Sequence, residues 1–432
     1  MNAAAAFTAR SHWRALALAC LLANVAADAA TLTIDLTNRV QTMDGIGANT
    51  YCFPYGNSSG WNWNAVTSVF DELDLHYFRT APWLSWWETE NDNADAAVIN
   101  WNGFQSVYRM ADWYEVPYAR WLTQRGYEAG LGVWGFAGWL SGSNPPGAYV
   151  EIGETLASYL MYFQISNNVP MPVYEVQNEP QLSGHFYPSP DALVTGALAV
   201  VQQLDHFGLT NMILHGPNHH QPAGTVTWAG PWFSNDTLRS RTHAVSFHTY
   251  WGQNAADYNG IWQLAQRYHK PVWATEVTGQ YWHPGDGTWY FTYTNWSCAL
   301  DGALRFYRAL AWSHASRVYQ WTILGHDAVV GKNGERYPSF YTLMHFANFI
   351  PPGAVFVTSS TSDANVFSLV FTLPDETLSL IMINDRSSVA TCDLTTDTAP
   401  PMLCTEWFTS REGVYFATNA PLTALMGFFV LG

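Results

Sequence analysis

The sequence predicts an α/β protein, a (β/α)8 TIM barrel with a small β-sandwich side domain appended. Three observations lead there. Between residue 44 and about residue 350, eight short apolar runs alternate with segments of 3.6-residue periodicity. After Pro351-Pro352-Gly353 that periodicity stops, and apolar runs separated by turn signals take over. The length of 432 residues leaves room for one barrel of ~250 residues or more beside a small domain. A doubly wound sheet is the rival for the alternating region.

The elements follow in order. Residues 1–29 read as a secretory signal peptide: Arg10, His12 and Arg14 precede an apolar run, 15–27, and Ala27-Asp28-Ala29 offers a cleavage point. That run of ~13 residues is too short to span a bilayer, so a secreted, extracellular chain without membrane insertion is expected. Residues 30–43 contain a strand, 31–36, that could join the sheet of the tail. The barrel, 44–350, takes its strands from 45–51, 76–80, 130–136, 173–176, 212–215, 244–248, 272–275 and 317–321. Helical periodicity lies between them, as at 156–165, 193–204, 261–268 and 300–312. The side domain, 351–432, offers strands at 366–373, 377–384 and 422–430.

Composition bounds the partners. Charged residues are 12%, aromatics are 16% with 22 Trp, and the formal net charge is −16. An acidic chain argues against nucleic acid and anionic membranes as partners. Few charges with many aromatic rings suit a neutral, stackable ligand, met by a monomer. Five cysteines occur; Cys20 lies in the signal, and Cys392 and Cys404 flank a Pro-Pro turn and are the expected disulfide pair. Sequons stand at Asn57, Asn235 and Asn295. No Cys-x-x-Cys or His-Glu-x-x-His pattern occurs, so no metal and no cofactor are expected.

Two carboxylates carry the chemistry. Asn178-Glu179-Pro180 closes the fourth strand candidate, and Glu276 closes the seventh. The C-terminal ends of barrel strands share one cleft. Paired acids in one cleft suit glycosidic cleavage, one protonating the leaving oxygen and the other attacking C1. Glu175 lies earlier on its strand and reads as a buried, partnered acid.

Several segments resemble the retaining glycosidases of clan A and, among them, glycoside hydrolase family 30. These are Gln41-Thr42-Met43-Asp44-Gly45-Ile46-Gly47, the stretch from Tyr174 to Pro180, Trp273-Ala274-Thr275-Glu276, and the run FYTLMHFANFIPPGA beginning at Phe340. The resemblance implies that Glu179 is the acid/base and Glu276 the nucleophile. It also implies roles for Arg79 on strand two, His248 and Tyr250 on strand six, and Trp321 on strand eight. Arg79 and Tyr250 would donate to Glu276, Asn178 would bond a sugar 2-hydroxyl, and Trp321 would floor the cleavage subsite. Glu179 would be kept protonated by the anion beside it. The implied activity is retaining hydrolysis within a β-linked polysaccharide such as xylan, β-1,6-glucan or β-1,6-galactan. A glucosylceramidase or exo-acting enzyme of the same fold, and a carbohydrate-binding protein that has lost catalysis, are the alternatives.

The loops after the strands are rich in tryptophan: Trp83, Trp86 and Trp87 after strand two, Trp139 after strand three, and Trp228 and Trp232 after strand five. Trp251 follows strand six, and Trp282 and Trp289 follow strand seven. Indole rings stack on the apolar faces of sugars, and Trp83, Trp139 and Trp282 are candidate subsite residues; about half of the set is expected to be packing. Arg336 and Lys332 are candidates for reading a uronate. Rival motifs are weaker. Gly56-Asn57-Ser58-Ser59-Gly60 matches a nucleophile elbow but follows a single barrel-type strand. Gly45-Ile46-Gly47 lacks the third glycine of a dinucleotide fingerprint, and His219-His220 read as loop residues with no third metal ligand in view.

Overall fold

The computed structural model describes residues 30–421 apart from 105–107, 141–144, 183–185, 284–287, 291–292, 387–391, 397–402 and 411–412. The expected signal peptide and the strand candidate 422–430 lie outside the described residues. The chain falls into two compact units. One comprises Thr37–Thr358 and Leu369–Ile381; the other takes the described parts of Met1–Leu36, Ser359–Ser368 and Met382–Gly432.

The first unit is a closed barrel of eight parallel strands, which excludes the doubly wound sheet. They are β1 (Gly45–Tyr51), β2 (Tyr77–Ala81), β3 (Glu128–Leu131), β4 (Val173–Tyr174), β5 (Ile213–His219), β6 (Thr242–His248), β7 (Val272–Val277) and β8 (Ala315–Leu324). Each pairs with its successor, and β8 closes onto β1. Every residue of β7 and of β8 is buried, as expected of strands walled by helices outside and by side chains within. Short polar residues start several of those helices. Ser189 Oγ accepts from Ala192 N before the helix Pro190–His206, and Asn295 Oδ1 accepts from Ser297 N before Trp296–Trp312. That second helix presses on the chain just after β7: a Cβ on Gly279 would fall 1.7 Å from the Cys298 carbonyl oxygen, so only glycine fits there.

Two strands are shorter than their apolar runs suggest. The candidate 130–136 ends as a strand at Leu131, and β4 keeps only Val173 and Tyr174. Both chains then bend across the open end of the barrel. At Gly132 a Cβ would meet the Trp134 ring at 2.3 Å. The missing side chain lets Trp134 fold back over the barrel mouth, which a continuing strand would forbid.

The second unit is rich in sheet. The first residues of the strand Ala30–Thr42 pair in parallel with Cys392–Thr396, in register from Ala30–Cys392 to Ile34–Thr396. Leu403–Ser410 and Gly413–Pro421 form an antiparallel hairpin. The expected Cys392–Cys404 disulfide is not formed: Cys392 is a free, buried thiol. It starts a strand packed beside Ala30, whereas Cys404 pairs with Ala420 in the separate hairpin. The Cys404 side chain lies outside the described residues. Among the described residues, no helix is long and apolar enough to cross a membrane.

Candidate active site

The backbone brings the two acids together. Beyond Tyr174 the chain crosses the barrel end, where Asn178 N donates to Val133 O and Glu179 N to Asn218 O. Glu179 then adopts φ +46°, a left-handed conformation uncommon outside glycine, just before Pro180. Strain of this kind gathers where a side chain must be aimed. Glu276 sits near the end of β7 and is buried, whereas the Glu179 side chain keeps 18% of its surface exposed. One carboxylate oxygen of Glu179, one of Glu276 and a ring nitrogen of His248 all lie within 4.8 Å of one another.

Arg79 organises the floor. Its five N–H groups all find acceptors. Nε and Nη2 grip Glu175 at 3.0 and 2.7 Å, and the second Nη2 hydrogen goes to Asn178 Oδ1 at 2.5 Å. Nη1 reaches Glu276 Oε1 at 2.6 Å and Asn49 Oδ1 at 2.8 Å. The guanidinium also lies over the Trp134 ring, 4.4 Å from its centroid. Glu175 accepts two further bonds, from Val133 N at 2.7 Å and Asn218 Nδ2 at 2.6 Å. It therefore anchors Arg79, leaving Glu276 as the partner with an oxygen toward the cleft. Tyr250 donates to that oxygen, Oε2, at 2.6 Å.

Burial shifts both acids in the same direction. Burial raises the Glu276 carboxyl, the Glu179 anion adds to the rise, and Arg79 and the Tyr250 hydrogen bond oppose it. Burial also raises Glu179, opposed by His220 and Arg79. This corrects the expectation that the neighbouring anion raises it; loss of water is the main cause. His248 is fully buried between the acids, with Nδ1 2.9 Å from Glu179 Oε1 and 3.4 Å from Glu276 Oε2. Burial lowers it to about 3, so its ring is neutral at neutral pH.

The histidine pair reads differently in three dimensions. His219 ends β5 and is buried, and burial lowers it to about 4. His220 contacts Gln181 and lies near enough for its charge to act on Glu179. His219 is thus a strand residue, a correction to the loop reading, whereas His220 lies in the bend after β5, as expected, and stands near the acid. Asn49, Trp134, Asn218 and His220 were missed from sequence. Trp134 had a signal, but it sat inside an apolar run that reads as strand.

The tryptophans divide. Trp321 is buried against Trp134, centroids 5.6 Å apart, and edge-on to Tyr51 at 5.9 Å. Trp83 is half-buried, 6.2 Å from Phe53, and its backbone N–H donates to Glu115. Trp139 is half-buried and its indole donates to the Glu88 carbonyl at 2.8 Å. Trp86 and Trp251 are exposed, at 57% and 42%. Trp87 and Trp232 are packing residues, buried with indoles bonded to Ser158 and Thr242. The side chains of Trp282 and Trp289 lie outside the described residues. Lys332 and Arg336 are engaged elsewhere, by Ser59 O and Glu72. Ser58 sits in a turn with no hydrogen-bonded histidine among the described residues.

Residues 176–297 match the family model described as the glycosyl hydrolase catalytic core, a span that contains both acids. The chain carries a glycosyl hydrolase catalytic core. No curated protein sequence matches it. Solved structures extend the likeness over nearly the whole chain. A GH30 endoxylanase from Clostridium papyrosolvens C71 is 16% identical with a TM-score of 0.69, covering 92% of this chain and 97% of its own. The catalytic domain of GH30 xylanase C from Talaromyces cellulolyticus is 14% identical with a TM-score of 0.66, covering 92% and 98%. An endo-β-1,6-glucanase is 15% identical with a TM-score of 0.62, covering 92% and 93%. At such identities the shared property is the fold, and this hydrolase core has the fold of the GH30 enzymes, as the sequence resemblance implies.

Proposed function

We propose that the protein is a secreted, retaining β-glycoside hydrolase acting within a β-linked polysaccharide of the xylan, β-1,6-glucan or β-1,6-galactan type. One observation carries the reading: oxygens of Glu179 and Glu276 approach within 4.8 Å. Retaining enzymes hold their carboxyl groups ~5–5.5 Å apart, whereas inverting enzymes leave ~6.5–9.5 Å for a water molecule. In the first step Glu276 Oε2 attacks C1 while Glu179 passes its proton to the departing oxygen. In the second, Glu179 takes a proton from water, whose oxygen displaces Glu276 from C1.

The neighbours support each role. Neutral His248 can donate from Nδ1 to Glu179 Oε1, leaving Oε2 to carry the catalytic proton. Arg79 fixes Asn178 by its Oδ1, so its Nδ2 is the group offered to a sugar hydroxyl. Trp321 and Trp134 supply flat apolar surface beside the acids. Trp86 and Trp251, exposed on loops leaving β2 and β6, can stack further sugar units, which favours a polymer and attack within the chain. The GH30 endoxylanases and the endo-β-1,6-glucanase of similar fold favour the same substrate class.

The test is a screen of xylan, β-1,6-glucan and β-1,6-galactan, followed by proton NMR of the first product. The expected result is oligosaccharides whose new reducing ends start as the β anomer and then mutarotate. An initial α anomer would exclude double displacement, and monosaccharide as the sole early product would exclude attack within the chain.

A further inference from the structure

A second group of acids lies on the loop after β2 and on the helix Pro145–Met161. Glu88 and Asp92 come from the loop and Glu154 from the helix, and one oxygen of each lies within 4.8 Å of the others. Acids often cluster on surfaces without consequence, but here two of the three are buried and Asp92 is half-buried. Glu154 is 0% exposed and Glu88 is 1% exposed. No amide, hydroxyl or cationic donor among the described residues reaches either oxygen of Glu154, nor Oε1 of Glu88. Glu88 Oε2 is held by the Thr155 hydroxyl, and the two Asp92 oxygens accept from Asn93 Nδ2 and Asn100 N, so the unpartnered oxygens of the group are those of Glu154 and Oε1 of Glu88.

A buried carboxylate without a donor is costly unless a cation or a proton compensates it. No Lys or Arg is paired with Glu88, Asp92 or Glu154 among the described residues. We propose that Glu88, Asp92 and Glu154 hold a hard divalent cation of the calcium type. All the donors are carboxylate oxygens, which calcium prefers and zinc does not. Calcium sits ~2.3–2.6 Å from each ligand, so oxygens up to ~5 Å apart can share it.

The site adjoins the tryptophan-rich loop after β2. Glu88 immediately follows Trp87 in the loop that carries Trp83 and Trp86, and its carbonyl accepts the Trp139 indole hydrogen. A cation there ties this aromatic loop to the helix Pro145–Met161 and to Trp139. Its expected influence on the hydrolase is through stability and substrate binding, and it takes no part in bond cleavage. The rival is a proton shared between Glu154 and the carboxyl of Glu151 beside it.

The proposal does not depend on the catalytic reading, because its test measures binding and unfolding. The full chain, stripped with EGTA, is titrated with calcium chloride by calorimetry and scanned thermally with and without calcium. The expected result is one calcium per chain, a saturable rise in unfolding temperature, and at least tenfold weaker binding in Glu154→Gln and Asp92→Asn. Absence of binding and of any thermal shift at millimolar calcium would overturn the proposal in favour of the shared proton. Binding that persists undiminished in both variants would overturn it equally. Should neither variant fold, the scan of the unaltered chain decides.

Discussion

Replacing Glu276 with glycine is expected to lower turnover by ~10⁴-fold or more while leaving the chain folded. The side chain is small, and Arg79 keeps its bidentate hold on Glu175 and its bonds to Asn49 and Asn178 without it. What disappears is the atom that attacks. A small external nucleophile such as azide, admitted into the vacated space, should restore turnover and yield a product of inverted configuration. Glu179→Gln should behave differently, because the attacking group remains and only the proton donor is lost. Substrates whose leaving groups need no proton should still form the glycosyl-enzyme in that variant. Kinetics on both variants, with circular dichroism as the check on folding, test this. A Glu276→Gly variant with undiminished turnover would remove that residue from the mechanism.

Arg79→Met is expected to be damaging to stability as well as to catalysis. Arginine here is buried, and its fork neutralises two buried carboxylates at once. Methionine fills much of the volume but leaves Glu175 and Glu276 without their counter-charge. Removing one partner of a buried ion pair costs about 3–5 kcal/mol, so a clear fall in unfolding temperature is expected. The freed carboxylates would share a proton, and Glu276 would lose its standing as an anion. Arg79→Lys restores the charge but offers no planar fork to Glu175, Glu276, Asn49 and Asn178 together. It should recover more stability than activity. Thermal unfolding and kcat measured side by side check this; an Arg79→Met variant as stable as the parent would show that the network is not what holds the floor.

The barrel was legible because parallel strands buried on both faces leave continuous apolar runs, and helices leave a different period. Glu179 and Glu276 were legible because the fold places strand ends in one cleft. Other features depend on contacts that no local pattern encodes. Trp134 looked like strand until the chain bent at Gly132, where the missing side chain makes room for the ring. His220 became part of the acid's surroundings only through the closeness of β5 to the chain after β4. Glu88, Asp92 and Glu154 meet across two distant segments, with no spacing that announces a cation. The Cys392–Cys404 pairing failed for the opposite reason: closeness in sequence does not place residues on neighbouring strands.

The most direct test is covalent capture. A 2-deoxy-2-fluoro glycoside of the sugar identified in the screen, with a good leaving group, should form the glycosyl-enzyme quickly and release it slowly. Peptide mass spectrometry of the inactivated protein is predicted to find one fluorosugar, attached to Glu276. A label on Glu179 or Glu175 instead, or catalytic turnover that never passes through a labelled protein, would contradict the account.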